Sequence, residues 1–522
     1  MKRWIWGSMI IAAILVVLFL AGQAWDPDRS ADKPVAVSQV EQQVETDTSL
    51  PVYTADVQVD PQAHRVSGAV IVRFVPPDPQ EVYFHLYPNV FRDDAALQTA
   101  NWEYILGEER QPGGITVSQV TVNDEAVAPR VNGTILHVPL PSTDRGKQVT
   151  EISLAFELQL PRNNGRLSYN DHALWLGNWL PTLAVREGEE WRLDPYLPMG
   201  DPFFSELADY HLRIRVPAAY QIASTGAESI AVITETKPEG EKLYEVDGTS
   251  VRDFAFVVMD ETYHALVDKA GDTLVRTWWQ EGDDPKAIRR LHDVAVHSLL
   301  YFNETFGNYP YPEYDVVKTG GFFGGMEYPG IVFIQGSFFD DESVFGSAVV
   351  AHETAHQWFY GLVGSDAIRE AWVDESLTDY ATMDFLQQYD NTMAESYIRM
   401  RTSRGRQAEV LYPDLAVWQP LHQFPDWQSY SDLVYSRGAT MLWELRAKWG
   451  AKQLNTVLRQ YAAENRDQTG TGQELLQAFS QAAGADATPY FDYWLRLQTE
   501  KKREAEAWAA EGAKKRRQEN DG

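Results

Sequence analysis

From Pro51 onward apolar and polar residues alternate, and a period of two predicts half-buried strands. The alternation is plain in Val57-Gln58-Val59 and in residues 69–74, 81–86, 134–138 and 151–156, and it returns at 210–217 and 244–246. Gly, Pro, Asn and Asp punctuate these runs at short intervals, so residues 51–265 read as a β-rich domain. The period then changes. Asp284 before Pro285 is an N-cap with proline in the first turn, and Ile288, Leu291, Ala295, Leu299 and Phe302 recur near helical spacing, which predicts a helix ending around Gly307. Tyr309-Pro310-Tyr311-Pro312 is a rigid connector, followed by buried strands at 314–317 and 331–334. A mostly apolar run predicts a helix over 344–362, ending near Gly361 and Gly364, and a second helix follows the connection at 366–370. Residues 266–450 thus form an α/β domain, and 451–500 add helices at 453–464 and 471–483, the latter with Leu475, Leu476 and Phe479 on its apolar face. Residues 501–522 are charged and alanine-rich, with a basic run at 514–517, and are expected to form a solvated, fraying helix.

The N-terminus carries a different pattern. Lys2 and Arg3 precede an apolar run from Trp4 to Ala21, about the length that crosses a bilayer. Residues 1–24 are therefore expected to be a transmembrane signal anchor, or a signal peptide if cleaved near Gly22-Gln23-Ala24. The basic flank keeps the short end cytoplasmic, so the rest of the chain would lie outside the cell membrane, or be secreted after cleavage. Residues 25–50 are a polar linker.

Composition narrows the chemistry. A net charge of −30 over 522 residues argues against nucleic acid as a partner. The chain has no cysteine, which removes disulfides, thiolate metal ligands and a cysteine nucleophile. Any metal must be held by His and carboxylate. His85, His172 and His211 stand apart from one another and read as structural.

One stretch differs: His352-Glu353-Thr354-Ala355-His356. Two histidines four apart lie on one face of a helix, so both imidazoles can reach one ion. The surrounding run is apolar, from Ala348-Val349-Val350-Ala351 to Trp358-Phe359-Tyr360, and buried histidines and a glutamate are costly without partners. Eighteen residues separate His356 from Glu375, a carboxylate that can serve as the third ligand. Asp374 and Asp379 flank it as candidate partners for a ligand histidine.

H-E-x-x-H, eighteen residues, then E resembles the aminopeptidase N-type gluzincins. Further segments resemble the same family in order: Gly200-Asp201-Pro202-Phe203-Phe204, residues 251–258, Gly324-Gly325-Met326-Glu327-Tyr328 and Tyr435-Ser436-Arg437-Gly438. The resemblance implies an N-terminal β-saddle domain, a thermolysin-like α/β catalytic domain and C-terminal helices. It implies one zinc ion on His352, His356 and Glu375, with Glu353 as general base and Tyr435 as hydrogen-bond donor to the oxyanion. Glu327 would bind the free α-amino group of a peptide substrate, with Gly324, Gly325 and Met326 lining that end, and Tyr430 would line the pocket. The implied activity is zinc-dependent hydrolysis of N-terminal peptide bonds. Tyr328 stands where the family has Asn, and Arg437 where it has Lys. Tyr328 keeps open an endopeptidase or a non-peptide hydrolase at the same site, and a membrane-tethered binding protein on this scaffold is the non-enzymatic alternative.

Overall fold

The computed structural model describes residues 50–93, 97, 99–142, 149–233, 240–321 and 324–520. The expected anchor and linker lie outside these residues. Among the described residues no helix is long and apolar enough to cross a membrane.

The alternating segments build the expected β-rich region. An eight-stranded sheet runs, from edge to edge, through Ala227–Ile233, Glu241–Val251, Ala208–Pro217, Val52–Asp60, Arg65–Phe74, Thr150–Gln159, Gly114–Val122 and Glu125–Ala126. Only Val52–Asp60 and Ala208–Pro217 pair in parallel, with Val57 opposite Ile214. Their inward positions, among them Val57, Val70, Leu154 and Ile214, meet around Trp179 in one core. Two four-stranded sheets and the two-stranded pair Arg186–Glu187 and Glu190–Trp191 complete this region. One of them carries Ala173–Leu176 and Phe256–Met259.

A five-stranded mixed sheet follows, in the order Tyr263–Ala270, Thr273–Gln280, Glu313–Thr319, Ile331–Gln335 and Gly325–Met326. Thr273–Gln280 and Glu313–Thr319 are parallel, so a crossover must join them. The helix Pro285–Phe306 makes it, with the Asp284 side chain accepting from the Lys286 N–H as the expected N-cap. The division expected between residues 265 and 266 falls inside Tyr263–Ala270. That strand pairs along its whole length with Thr273–Gln280, so the second region begins near Tyr263. The division expected at 450/451 falls at Gly450, between two helices that share one large core with Val350, Leu377 and Phe491.

Two helical expectations need correction. The helix over 344–362 stops at Ala355. Beyond it the chain opens into wide turns, with the Gly361 N–H on the His356 carbonyl and the Leu362 N–H on the Gln357 carbonyl. Trp358 and Phe359 stay buried, so the apolar run continues as a packed loop and hydrophobicity alone does not mark the end. The tail is not a solvated helix. Lys502–Asn520 is helical, but Ala505, Trp508 and Ala509 are buried, and Trp508 packs against Trp449 and Tyr490 with ring centroids 5.3 and 4.9 Å apart.

Candidate active site

The helix Val344–Ala355 has Ser343 as N-cap and delivers His352 and Glu353, with His356 at its C-cap. The helix Trp372–Tyr389 runs beside it and delivers Glu375 from its first turn. All four side chains are at least nine-tenths buried. His352 Nε2, His356 Nε2 and Glu375 Oε2 form a triangle with sides of 3.0, 3.1 and 3.2 Å.

That triangle fits a metal ion on two grounds. A tetrahedral zinc with ligands near 2.0–2.1 Å puts ligand atoms about 3.3 Å apart. The outer ring nitrogens also face acceptors. His356 Nδ1 is 2.9 Å from the Phe359 carbonyl oxygen, which can only accept, so Nδ1 carries the proton and Nε2 offers its lone pair. The wide turn after Ala355 is what brings that carbonyl round. His352 Nδ1 faces Asp379 Oδ1 at 3.3 Å without a formed hydrogen bond, and the carboxylate beside it favours the same tautomer. Two imidazole lone pairs 3.0 Å apart repel unless a cation sits between them and the carboxylate. Of the two aspartates weighed above, Asp379 therefore supports a histidine. Asp374 instead accepts from Ser365 and from the Glu375 N–H, holding the start of its helix.

Glu353 sits beside the triangle with Oε2 unpaired. Burial pushes its carboxyl up to about 7, against the opposing pull of His352 and His356. Gly325 lies directly over it, and a Cβ there would overlap the Glu353 carboxylate, so only glycine lets the two segments approach this closely. Glu327 lies in the same cavity, 4 % exposed, with Oε1 unpaired and its carboxyl pushed well up by burial and by Asp201. Glu327, Glu353 and His356 bring their polar atoms within 4.8 Å of one another. Gly324 and Gly325 line the cavity as expected. Met326 does not: residues alternate along the Gly325–Met326 strand, so Met326 points the other way, into the core with Tyr328 and Phe333.

Tyr435 reaches the metal triangle from the wide helical turn Ser431–Arg437, its hydroxyl donating to Glu375 Oε1 at 2.5 Å. Arg437 anchors that turn from below, donating to the Trp494 and Tyr493 carbonyls at 3.0 Å each. Tyr430 is fully buried against the Tyr435 ring, 5.7 Å away, behind the cavity wall. Tyr328 is also fully buried. It crosses to the β-rich region, where its hydroxyl donates to Asn178 Oδ1 at 2.9 Å. His85, His172 and His211 bond to the Arg192 carbonyl, Asp260 and Asp247, and none of them lines the cavity.

The cavity, of about 510 Å³, holds residues that sequence reasoning missed. Asp201 faces it, ion-paired to Arg166 at 2.6 Å. The Gly200–Phe204 segment stood out by resemblance, but nothing in its spacing marks Asp201 as a site residue. Arg401, from the helix Asn391–Leu411, also lines it. Tyr104, Tyr196, Phe338, Phe345 and Trp427 add aromatic surface.

Two imidazoles, a carboxylate, an unpaired buried acid and a phenol around one point are similar to the arrangement expected of a gluzincin metallopeptidase. Residues 291–494 match the Peptidase family M1 domain. Aminopeptidase N of Lactococcus lactis subsp. lactis is 25% identical over 217 residues, 39% of this chain and 26% of that protein. The alanine/arginine aminopeptidase of Saccharomyces cerevisiae is 25% identical over 291 residues, 52% of this chain and 33% of that protein. The chain thus matches a third or less of these relatives' length. The fold is shared with an M1 zinc metallopeptidase from Deinococcus radiodurans at a TM-score of 0.58 and 16% identity, covering 85% of this chain and 92% of that one. A mutant of that enzyme bound to a Tyr-Ser-Ala substrate superposes equally, with a TM-score of 0.58 and 17% identity.

Proposed function

We propose that the protein is a zinc aminopeptidase that removes the N-terminal residue of a peptide. The observation that carries this reading is the placement of Glu327, a buried carboxylate with a free oxygen, in the same cavity as the metal triangle. An ammonium arriving there gains a charge-assisted hydrogen bond, and Asp201 supplies a second negative charge close by. A blocked N-terminus offers neither. The expected thermolysin-like and β-saddle parts fit this reading, the β-rich region supplying Asp201 and the second region the metal ligands.

His352, His356 and Glu375 would hold the zinc, which when bound polarises the scissile carbonyl and acidifies water. Glu353 takes the proton from the attacking water and passes it to the leaving amine. Its buried carboxyl, raised to about 7, is matched to both tasks near neutral pH. Tyr435 is a neutral donor at that pH. Its hydroxyl can leave Glu375 for the oxygen that gains negative charge. Glu327 fixes the substrate's N-terminus so that the first peptide bond lies over the metal triangle. The apolar run at 4–21 supports a membrane-anchored or secreted location with the site outside the cytoplasm.

The test of the amine anchor is Glu327→Gln, assayed on free and N-acetylated forms of the same aminoacyl amide. Activity on the free form should fall steeply and the preference for it should collapse. A variant that keeps the wild-type preference contradicts the role given to Glu327. Efficient cleavage of acetylated substrate by the wild type would turn the reading to an endopeptidase.

A further inference from the structure

We propose that Arg401 is a substrate-contacting residue that donates, through Nη1, to the main-chain carbonyl oxygen of the residue following the scissile bond. The proposal rests on the aminopeptidase reading of the same site and deepens it by naming what the leaving side of the substrate must carry.

Arg401 is 9 % exposed and lines the cavity that holds the metal triangle. Its guanidinium is held on three sides. Nε lies 2.8 Å from Asp379 Oδ2, Nε and Nη2 donate to the Tyr397 hydroxyl at 3.2 and 3.0 Å, and the group lies over the Tyr435 ring, 5.4 Å from its centroid. Nη1 has no partner on the cavity wall among the described residues. A guanidinium that lines a cavity with two N–H groups uncommitted is costly unless an acceptor arrives. Asp379 already neutralises the charge, so the acceptor need not be an anion, and a peptide carbonyl suffices.

Direction follows from which histidine each group adjoins. Glu327 clusters with Glu353 and His356. Arg401 is joined through Asp379 to His352. The amine anchor and Arg401 thus flank opposite histidines of the triangle. A peptide with its ammonium on Glu327 and its first carbonyl over the triangle extends its next residue toward Arg401. That residue carries a carbonyl oxygen in an internal peptide and in a terminal carboxylate alike. An arylamide leaving group has none. The proposed substrate class is therefore true peptides, dipeptides included, over aminoacyl arylamides.

Three substrates with one N-terminal residue test it: alanyl-glycinamide, alanyl-glycine and an alanyl arylamide. Arg401→Gln and Arg401→Lys should lower kcat/KM on both peptides roughly 10- to 100-fold more than on the arylamide, the worth of one hydrogen bond to a charged donor. Equal extra losses on the two peptides assign the contact to the carbonyl they share. A larger loss on alanyl-glycine assigns it to the terminal carboxylate. Equal losses on all three substrates overturn the proposal and leave Arg401 as a group that positions His352 through Asp379. If the wild type cleaves none of the three, the aminopeptidase reading fails, and the proposal with it. Should both variants fail to fold, the wild type decides. A reduced, uncleavable alanyl-glycinamide should compete at least about tenfold more tightly than its analogue lacking the carbonyl. Equal competition overturns the proposal.

Discussion

Gly177→Ala probes how the β-rich region sets the amine anchor. Gly177 has a backbone conformation open to any residue, so only space is at stake. A Cβ there would overlap the Tyr328 hydroxyl and lie 2.6 Å from Tyr328 Cζ and 2.8 Å from the Arg166 carbonyl oxygen. Carbon contacts begin near 3.5 Å, so ring and loop must part by about 1 Å. Tyr328 is fully buried and cannot swing aside, and the Arg166 oxygen is backbone. Overpacking of this kind costs about 1–3 kcal/mol. Losing the bond from Tyr328 to Asn178 adds about 1 kcal/mol, giving roughly 2–4 kcal/mol in all. Tyr328 is the neighbour of Glu327, and Arg166 holds Asp201, so the strain falls on both acids facing the substrate's amine. A 1 Å displacement there should lower kcat/KM on a free-amine substrate by about 10²-fold. The assay pairs thermal unfolding with kcat/KM. Tyr328→Phe removes the hydroxyl but leaves Cζ, and should rescue Gly177→Ala in part. Tyr328→Leu should rescue its stability further. A Gly177→Ala protein with wild-type stability and activity, or no rescue by either change, refutes the reasoning.

Glu353→Gln should retain zinc at one ion per chain by elemental analysis while kcat falls about 10²- to 10⁴-fold, the worth of general-base catalysis. Asp379→Asn removes the carboxylate that orients His352, and should weaken zinc binding about 10- to 100-fold in a chelator competition. His85 is buried and donates to the Arg192 carbonyl, and burial lowers its pKa to about 4, against about 6.5 unfolded. The unfolded chain therefore binds the extra proton first. The His85 contribution is full above pH 6.5 and is lost as pH falls toward 4, by about 3 kcal/mol in all. His85→Gln should flatten denaturant stability across that window, and an unchanged slope contradicts the assignment.

What the sequence made legible were features with short-range rules. The histidine pair proposed to hold the metal followed from helical spacing, the N-cap at Asp284 from Asp-Pro, and the strands from alternation. Asp201, Arg166 and Arg401 were opaque because their meaning lies in which remote segments meet. Asp201 is 126 positions from Glu327 in the chain and shares a cavity with it. The end of the helix that carries His352 was hidden because residues 358–362 stay apolar while leaving helical geometry to put the Phe359 carbonyl on His356. Met326 was misplaced because a motif names neighbours, whereas a strand sends them to opposite faces. The tail misled in the opposite sense. Its charges dominate the composition, yet Ala505, Trp508 and Ala509 at helical spacing form the stripe that packs.

The most direct measurement is mass spectrometry of the products from one unblocked peptide and its N-acetylated twin, using zinc-loaded and chelator-treated protein. The account predicts release of single residues from the free N-terminus only, abolished by the chelator and restored by zinc. Internal cleavage, equal cleavage of the acetylated peptide, or cleavage that survives complete removal of zinc would contradict it.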